Sequence, residues 1–156
     1  MLHPLLLPSL PSLLNVSLTI SPPTPQPTAP STSIYCWTQQ PPQAQQLIPT
    51  TYLPCKEALK DIPLGDAGLK PVSFGRSERS GFQVPHLWEK GNCVVEIDVT
   101  EESITETTNF AELLLVAFEI AVECVIKGEH LGGGAVVGEE GGLNVWIYGF
   151  EHGSVA

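Results

Sequence analysis

Asn109–Gly128, NFAELLLVAFEIAVECVIKG, is the stretch on which the fold turns. Asn109 followed three residues later by Glu112 has the spacing of an N-cap with a reciprocal carboxylate, so a helix starts there. It runs to about Lys127, whose cation suits the negative end of the helix dipole, and stops at Gly128. Glu112, Val116, Glu119, Glu123 and Lys127 share one stripe. That leaves Phe110, Leu113, Leu114, Ala117, Phe118, Ala121, Cys124 and Val125 for burial. So wide an apolar arc suits a helix laid across a sheet, and its glutamates argue against a membrane span.

Sheet signals flank this helix. Upstream, Asn92–Val99 alternates, with Val95, Ile97 and Val99 on one face and Glu96 and Asp98 on the other. Downstream, residues 132–150 read as a hairpin: Ala135–Val137, a turn at Gly138–Gly142, then Leu143–Phe150. In the last strand Leu143, Val145 and Ile147 alternate with Asn144, Trp146 and Tyr148. Cys55–Asp61 (CKEALKD) has short helical character between Pro54 and Pro63. Gly65–Arg79 reads as loop, and Phe82–Val84 as a short strand ended by Pro85. The expected fold class is α+β: a small, mainly antiparallel sheet covered on one face by one long helix, plus a short N-terminal helix.

All 7 basic and 17 acidic residues lie from Lys56 onward, giving a net charge of −10, while 12 of the 15 prolines precede it. Leucine-rich Met1–Ile20 resembles the apolar region of a secretory signal, although it lacks a leading cation and is interrupted by Pro4, Pro8 and Pro11. The interruptions argue against a transmembrane helix. Asn15-Val16-Ser17 fits a glycosylation acceptor inside that segment. Ser21–Pro54 is Pro-, Thr-, Ser- and Gln-rich, too poor in apolar surface to offset its ordering entropy. Tyr35-Cys36-Trp37 interrupts it as an anchor. The expected organisation is therefore a signal-like, disordered leader over 1–34 and a domain over 35–152, with the Trp37–Pro54 segment a tethered strap. Strong acidity argues against nucleic acid and anionic membrane surfaces.

Cys36, Cys55, Cys93 and Cys124 are an even, widely spaced set in a small domain behind a signal-like segment. Two disulfides and an extracellular location follow as expectations. No two cysteines have zinc-knuckle spacing. Of the three pairings, Cys36–Cys55 with Cys93–Cys124 is preferred, because a strand from Cys93 followed by a returning helix brings Cys124 level with it. The other two remain open.

The order of aromatic-flanked Cys36, CKEAL (55–59), SFGR (73–76), VPHLW (84–88) and GNCVVEIDV (91–99) carries a resemblance. It continues through AVECV (121–125) and HLGGGAVVG (130–138) to a closing Val-rich strand. Over about Tyr35–Phe150 the chain resembles small secreted, cysteine-containing proteins of filamentous fungi, and more distantly fungal effector and killer-toxin-like domains. The resemblance supplies no catalytic residues.

Candidate chemistry is sparse. Trp146 and Tyr148 form an aromatic strip that fits sugars, peptides or a partner surface, unless it packs under the Cys36–Trp37 segment. Arg76 and Arg79 suit an anion, or merely neutralise an acidic surface. His86, His130 and His152 lack ligand-like spacing and read as surface or structural histidines. Glu96 and Asp98 read as a solvated strand face. Gly132-Gly133-Gly134 lacks phosphate-loop context and reads as the start of a hairpin that needs positive φ. The expected function is a secreted, non-enzymatic, effector-like protein binding an unknown protein or carbohydrate, monomeric by default and without metal or cofactor. The alternative is a small extracellular hydrolase using His86, His130 or the Glu96/Asp98 face.

Overall fold

The computed structural model describes residues 33–39, 47–128 and 130–151, all within the compact unit Ser31–Ala156. Most of the leader, the Asn15 acceptor and His152 lie outside the described residues. In chain order the elements begin with β1 (Tyr35–Cys36), β2 (Leu47–Ile48) and helix α1 (Tyr52–Leu59). Strands β3 (Val72–Gly75), β4 (Phe82–Gln83), β5 (His86–Lys90), β6 (Cys93–Val99) and β7 (Thr105–Thr108) follow. Helix α2 (Phe110–Ile120), a π-helical segment (Ala121–Lys127), β8 (Gly132–Val137) and β9 (Leu143–Phe150) complete the fold.

The result is an α+β fold with two sheets. The larger is antiparallel in the order β1-β8-β9-β6-β5, with β2 adding to the far end of β9. Its centre is the β6–β9 ladder, in register from Cys93 opposite Gly149 to Val99 opposite Leu143. The smaller sheet runs β4-β3-β7, with β3 parallel to β4 and antiparallel to β7. Strand β3 corrects the expectation that Gly65–Arg79 is loop: Val72 and Phe74 alternate with Ser73 and Gly75 over only four residues. Strands β5 and β7 fall in stretches where the sequence shows no alternation of apolar residues. In β7 (TETT) the inward residues are the polar Glu106 and Thr108.

Both helices lie on one face of the larger sheet, α1 against β5 and β6, α2 against β8 and β9. Between helices and sheet sits a core that includes Val95, Ile97, Leu113, Ile120, Val145 and Ile147. Phe74, Phe82 and Phe110 extend it in edge-to-face contacts, with Phe74 and Phe110 centroids 5.3 Å apart. The expected long helix is present only in part: its α-helical portion ends at Ile120 and its remainder winds as a π-helix. The Asn109 side chain caps it, accepting from the Glu112 N–H at 2.9 Å. The Glu112 carboxylate accepts from the Thr108 hydroxyl instead of returning to Asn109.

The buried stripe of α2 is Phe110, Leu113, Val116, Ala117 and Ile120. This corrects the expected one, in which Val116 pointed outward while Phe118 and Leu114 were buried. Because α1 covers only one flank of α2, the wide apolar arc is not wholly enclosed. Leu115 and Phe118 stay 59% and 44% exposed, and Leu114 is half-buried.

The disulfides are Cys36–Cys124 and Cys55–Cys93, with Cα separations of 5.2 and 5.1 Å. The preferred pairing, Cys36–Cys55 with Cys93–Cys124, is therefore corrected. Between β6 and α2 the chain detours through β7 in the other sheet, so α2 returns over β8 and β9 and not over β6. Cys124 thus arrives beside β8, where Cys36 stands opposite Gly133. A side chain at Gly133 would collide with the Cys124 Sγ. Helix α1, lying on β6, sets Cys55 over Cys93.

Buried Glu106 joins the two sheets. Its carboxylate accepts from the Thr107 N–H at 3.0 Å and from the Gly142 N–H of the β8–β9 turn at 2.7 Å. Such paired acceptance offsets the cost of burying a charge. Among the described residues no helix is long and apolar enough to cross a membrane.

Candidate functional site

Strand periodicity sends Trp146 and Tyr148 to the sheet face away from the helices. The register assembles a row across that face: Tyr35 on β1, Gly134 on β8, Trp146 on β9, Glu96 on β6 and Leu87 on β5. Gly134 contributes no side chain, so the Tyr35 ring lies across it. The Trp146 indole N–H donates to the Tyr35 hydroxyl at 3.0 Å. A Cβ at Gly134 would meet both the Trp146 ring and the Tyr35 hydroxyl. In the next row the Tyr148 hydroxyl donates to Glu96 Oε2 at 2.6 Å.

Trp37 closes the cluster. Its ring centroid is 6.2 Å from Tyr35 and 6.3 Å from Tyr148, both tilted. Its backbone is held by reciprocal bonds, Trp37 N–H to Gly132 O at 2.8 Å and Leu131 N–H to Trp37 O at 3.0 Å. The Tyr35–Trp37 segment therefore packs against Trp146 and Tyr148 and covers them in part. Tyr35 is 42% exposed, and the other three rings are half-buried. The Tyr35 and Trp37 contributions were not legible from spacing, because the Cys36–Cys124 bridge and the β1–β8 pairing bring them in. Only their position around a cysteine hinted at an anchored aromatic.

The acidic residues of this face are not solvated, contrary to expectation. Asp98 is buried, and Arg76 reaches it with two bonds, Nε to Oδ1 at 3.2 Å and Nη2 to Oδ2. Asp98 Oδ1 also accepts from the Val99 N–H at 2.9 Å, and Arg76 Nη1 donates to Glu102 at 2.8 Å. The hydrogen bond from Arg76 to Asp98 and the nearby carboxylates raise the guanidinium pKa further. Arg76 is thus occupied by the carboxylates of Asp98 and Glu102. Arg79 is exposed, and among the described residues no ion pair engages it. Burial pushes the Glu96 carboxyl above the usual range; the Tyr148 hydrogen bond opposes this and Asp98 adds to it. Burial, followed by the bond to Glu96, also raises Tyr148 well above an ordinary phenol.

The histidines are elsewhere. His86 stands opposite Ile97 on the helix-side face, 4.9 Å from the Phe82 ring and 4.7 Å from Trp88, where burial lowers its pKa. His130 follows the π-helical segment and donates its backbone N–H to Cys124 O at 3.0 Å. His86 does not share a face with Glu96 and Asp98. The glycine triplet has three local reasons: Gly132 takes φ +139°, Gly133 makes room for Cys124 and Gly134 for the aromatic rings. Among the described residues no cluster of three or more His, Cys, Asp or Glu has the geometry of a metal site.

No protein-family model, no curated protein and no solved structure matches this chain.

Proposed function

We propose that this is a secreted, disulfide-stabilised binding protein, effector-like in the broad sense, whose recognition surface is the Tyr35–Trp37–Trp146–Tyr148 face. The effector-like part of the reading follows the more distant likeness to fungal effector and killer-toxin-like domains. One observation carries the reading: Trp146 and Tyr148 are each fixed at their polar ends, by Tyr35 and Glu96, while their ring faces remain partly open. Rings held this way lose little conformational entropy on contact and offer large apolar area beside hydrogen-bonding groups. The acceptors interleaved with them, the Glu96 carboxyl and the Asn144 amide, suit a neutral, hydroxyl-rich ligand. A carbohydrate chain combines such hydroxyls with apolar C–H faces that stack on rings. Two disulfides are compatible with an extracellular site of action.

The test is calorimetric titration of the oxidised protein with cellohexaose, chitohexaose and laminarihexaose. Saturable binding of one of these, lost in Trp146→Ala with the far-ultraviolet dichroism intact, is the expected outcome. Absence of binding to all three, or binding indifferent to Trp146→Ala, refutes the reading.

Hydrolysis is the second reading, favoured by a single observation: a half-buried carboxyl, Glu96, held toward its protonated form as a general acid is. Its weakness is the partner carboxylate. The oxygens of Asp98 are taken by Arg76 and Val99. Release of reducing ends from any of the three oligosaccharides, abolished by Glu96→Gln, would establish it.

A further inference from the structure

A second surface lies on the opposite side of the sheet, where α1 and α2 diverge. There an open groove of about 440 Å³ runs between the helices. Its floor and walls are apolar: Leu59 from α1, Leu64 from the following loop, and Leu114, Leu115 and Phe118 from α2. Leu64, Leu115 and Phe118 are 53%, 59% and 44% exposed, a large apolar area for one patch. The volume falls within the range of roughly 300–1,000 Å³ typical of small-molecule sites.

The charges at its rim decide the occupant. The chain has a net charge of −10, yet both charged residues lining this groove are lysines, Lys56 and Lys60. Lys60 pairs with Glu57 at 2.6 Å on the exposed flank of α1. Lys56 is exposed, and among the described residues no ion pair engages it. Apart from the ammonium groups and the Tyr52 hydroxyl, no side chain of the groove offers a hydrogen bond. A peptide backbone would be left largely unsatisfied there, whereas an unbranched acyl chain needs no partner. The long lysine stems extend the apolar wall and deliver their charge at its edge.

We propose that the α1–α2 groove binds a single-chain aliphatic carboxylate, its acyl tail along Leu64, Leu114, Leu115 and Phe118 and its carboxylate at Lys56 and Lys60.

The experiment titrates the full-length, oxidised protein with sodium dodecanoate, dodecanol and dodecyltrimethylammonium, each below its micellar concentration, by calorimetry. Dodecanoate should bind saturably, one per chain, and about fivefold more tightly than the other two, the upper end of one surface charge contact. Lys56→Glu combined with Lys60→Glu should remove that preference. Leu115→Glu, at a site exposed enough to spare the fold, should weaken dodecanoate by about tenfold or more. Equal binding of all three amphiphiles, no saturable binding, or indifference to Leu115→Glu overturns the proposal. So does association with phosphatidylglycerol vesicles without any binding of monomeric dodecanoate.

Discussion

Tyr148 donates its phenolic hydrogen to Glu96 diagonally across the β6–β9 ladder, at 2.6 Å. The carboxyl is half-buried, and burial raises its pKa above the ordinary 4.5 despite that bond. The folded state therefore binds this proton more readily than the unfolded chain does. The associated stability is fully present below about pH 4.5 and is lost as pH rises through the raised value. Glu96→Gln keeps an acceptor for Tyr148 without the charge. Its stability relative to the parent should increase from about pH 4 toward neutrality. Urea denaturation of both proteins across that range checks this, and a pH-independent difference would contradict it.

Peptide mapping of unreduced protein should yield linked fragments containing Cys36 with Cys124 and Cys55 with Cys93. Intact mass with and without reductant should differ by four hydrogens. By loop closure, the bridges with sequence separations of 88 and 38 stabilise by about 4.6 and about 3.9 kcal/mol respectively. Replacing Cys36 and Cys124 by Ala should therefore cost at least as much as replacing Cys55 and Cys93, as denaturant midpoints will report.

Gly134→Ala places a methyl group against the Trp146 ring and the Tyr35 hydroxyl. The expected cost is about 1–3 kcal/mol, as for overpacking elsewhere. Because the Trp146–Tyr35 bond is lost with it, tryptophan fluorescence should shift to longer wavelength and carbohydrate binding should fall. A variant with unchanged emission would show that the rings are not fixed by this glycine.

Arg76 and Arg79 should respond differently to truncation. Arg76→Ala strands the buried Asp98 carboxylate, so thermal stability should drop and should be partly restored by adding Asp98→Asn. Arg79→Ala should leave the melting temperature within error, since no ion pair among the described residues depends on it. Equal effects of the two variants would refute the pairing of Arg76 with Asp98.

Local patterns foretold local structure. The Asn109 cap, the alternation in β6 and the hairpin of β8 and β9 each carry their signal within a few residues. Strands β3 and β7 carried little, because both belong to a second sheet and β7 turns inward the carboxylate Glu106, which pairs with Gly142 36 positions away. Strand β5, at the edge of the larger sheet, has Leu87 and Trp88 side by side and shows no period-two signal. The site divides the same way. Trp146 and Tyr148 were legible from period-two alternation, whereas the Tyr35 contact spans 111 residues and the Arg76–Asp98 pair 22. The cysteine pairing failed for one topological reason: the excursion through β7 changed which strand the helix returns over.

The two bridges are nested, with residues 55–93 inside the span 36–124. A single proteolytic nick between Cys55 and Cys93 would leave fragments joined by both bridges, and one elsewhere between Cys36 and Cys124 by one. Nicks there release nothing. The β8–β9 hairpin lies beyond both bridges. A cut in its Gly138–Gly142 turn would leave β9, with Trp146 and Tyr148, held only by non-covalent contacts. Resistance to digestion is thus distributed unevenly, and the segment carrying Trp146 and Tyr148 is the one from which a protease could disarm the proposed recognition face.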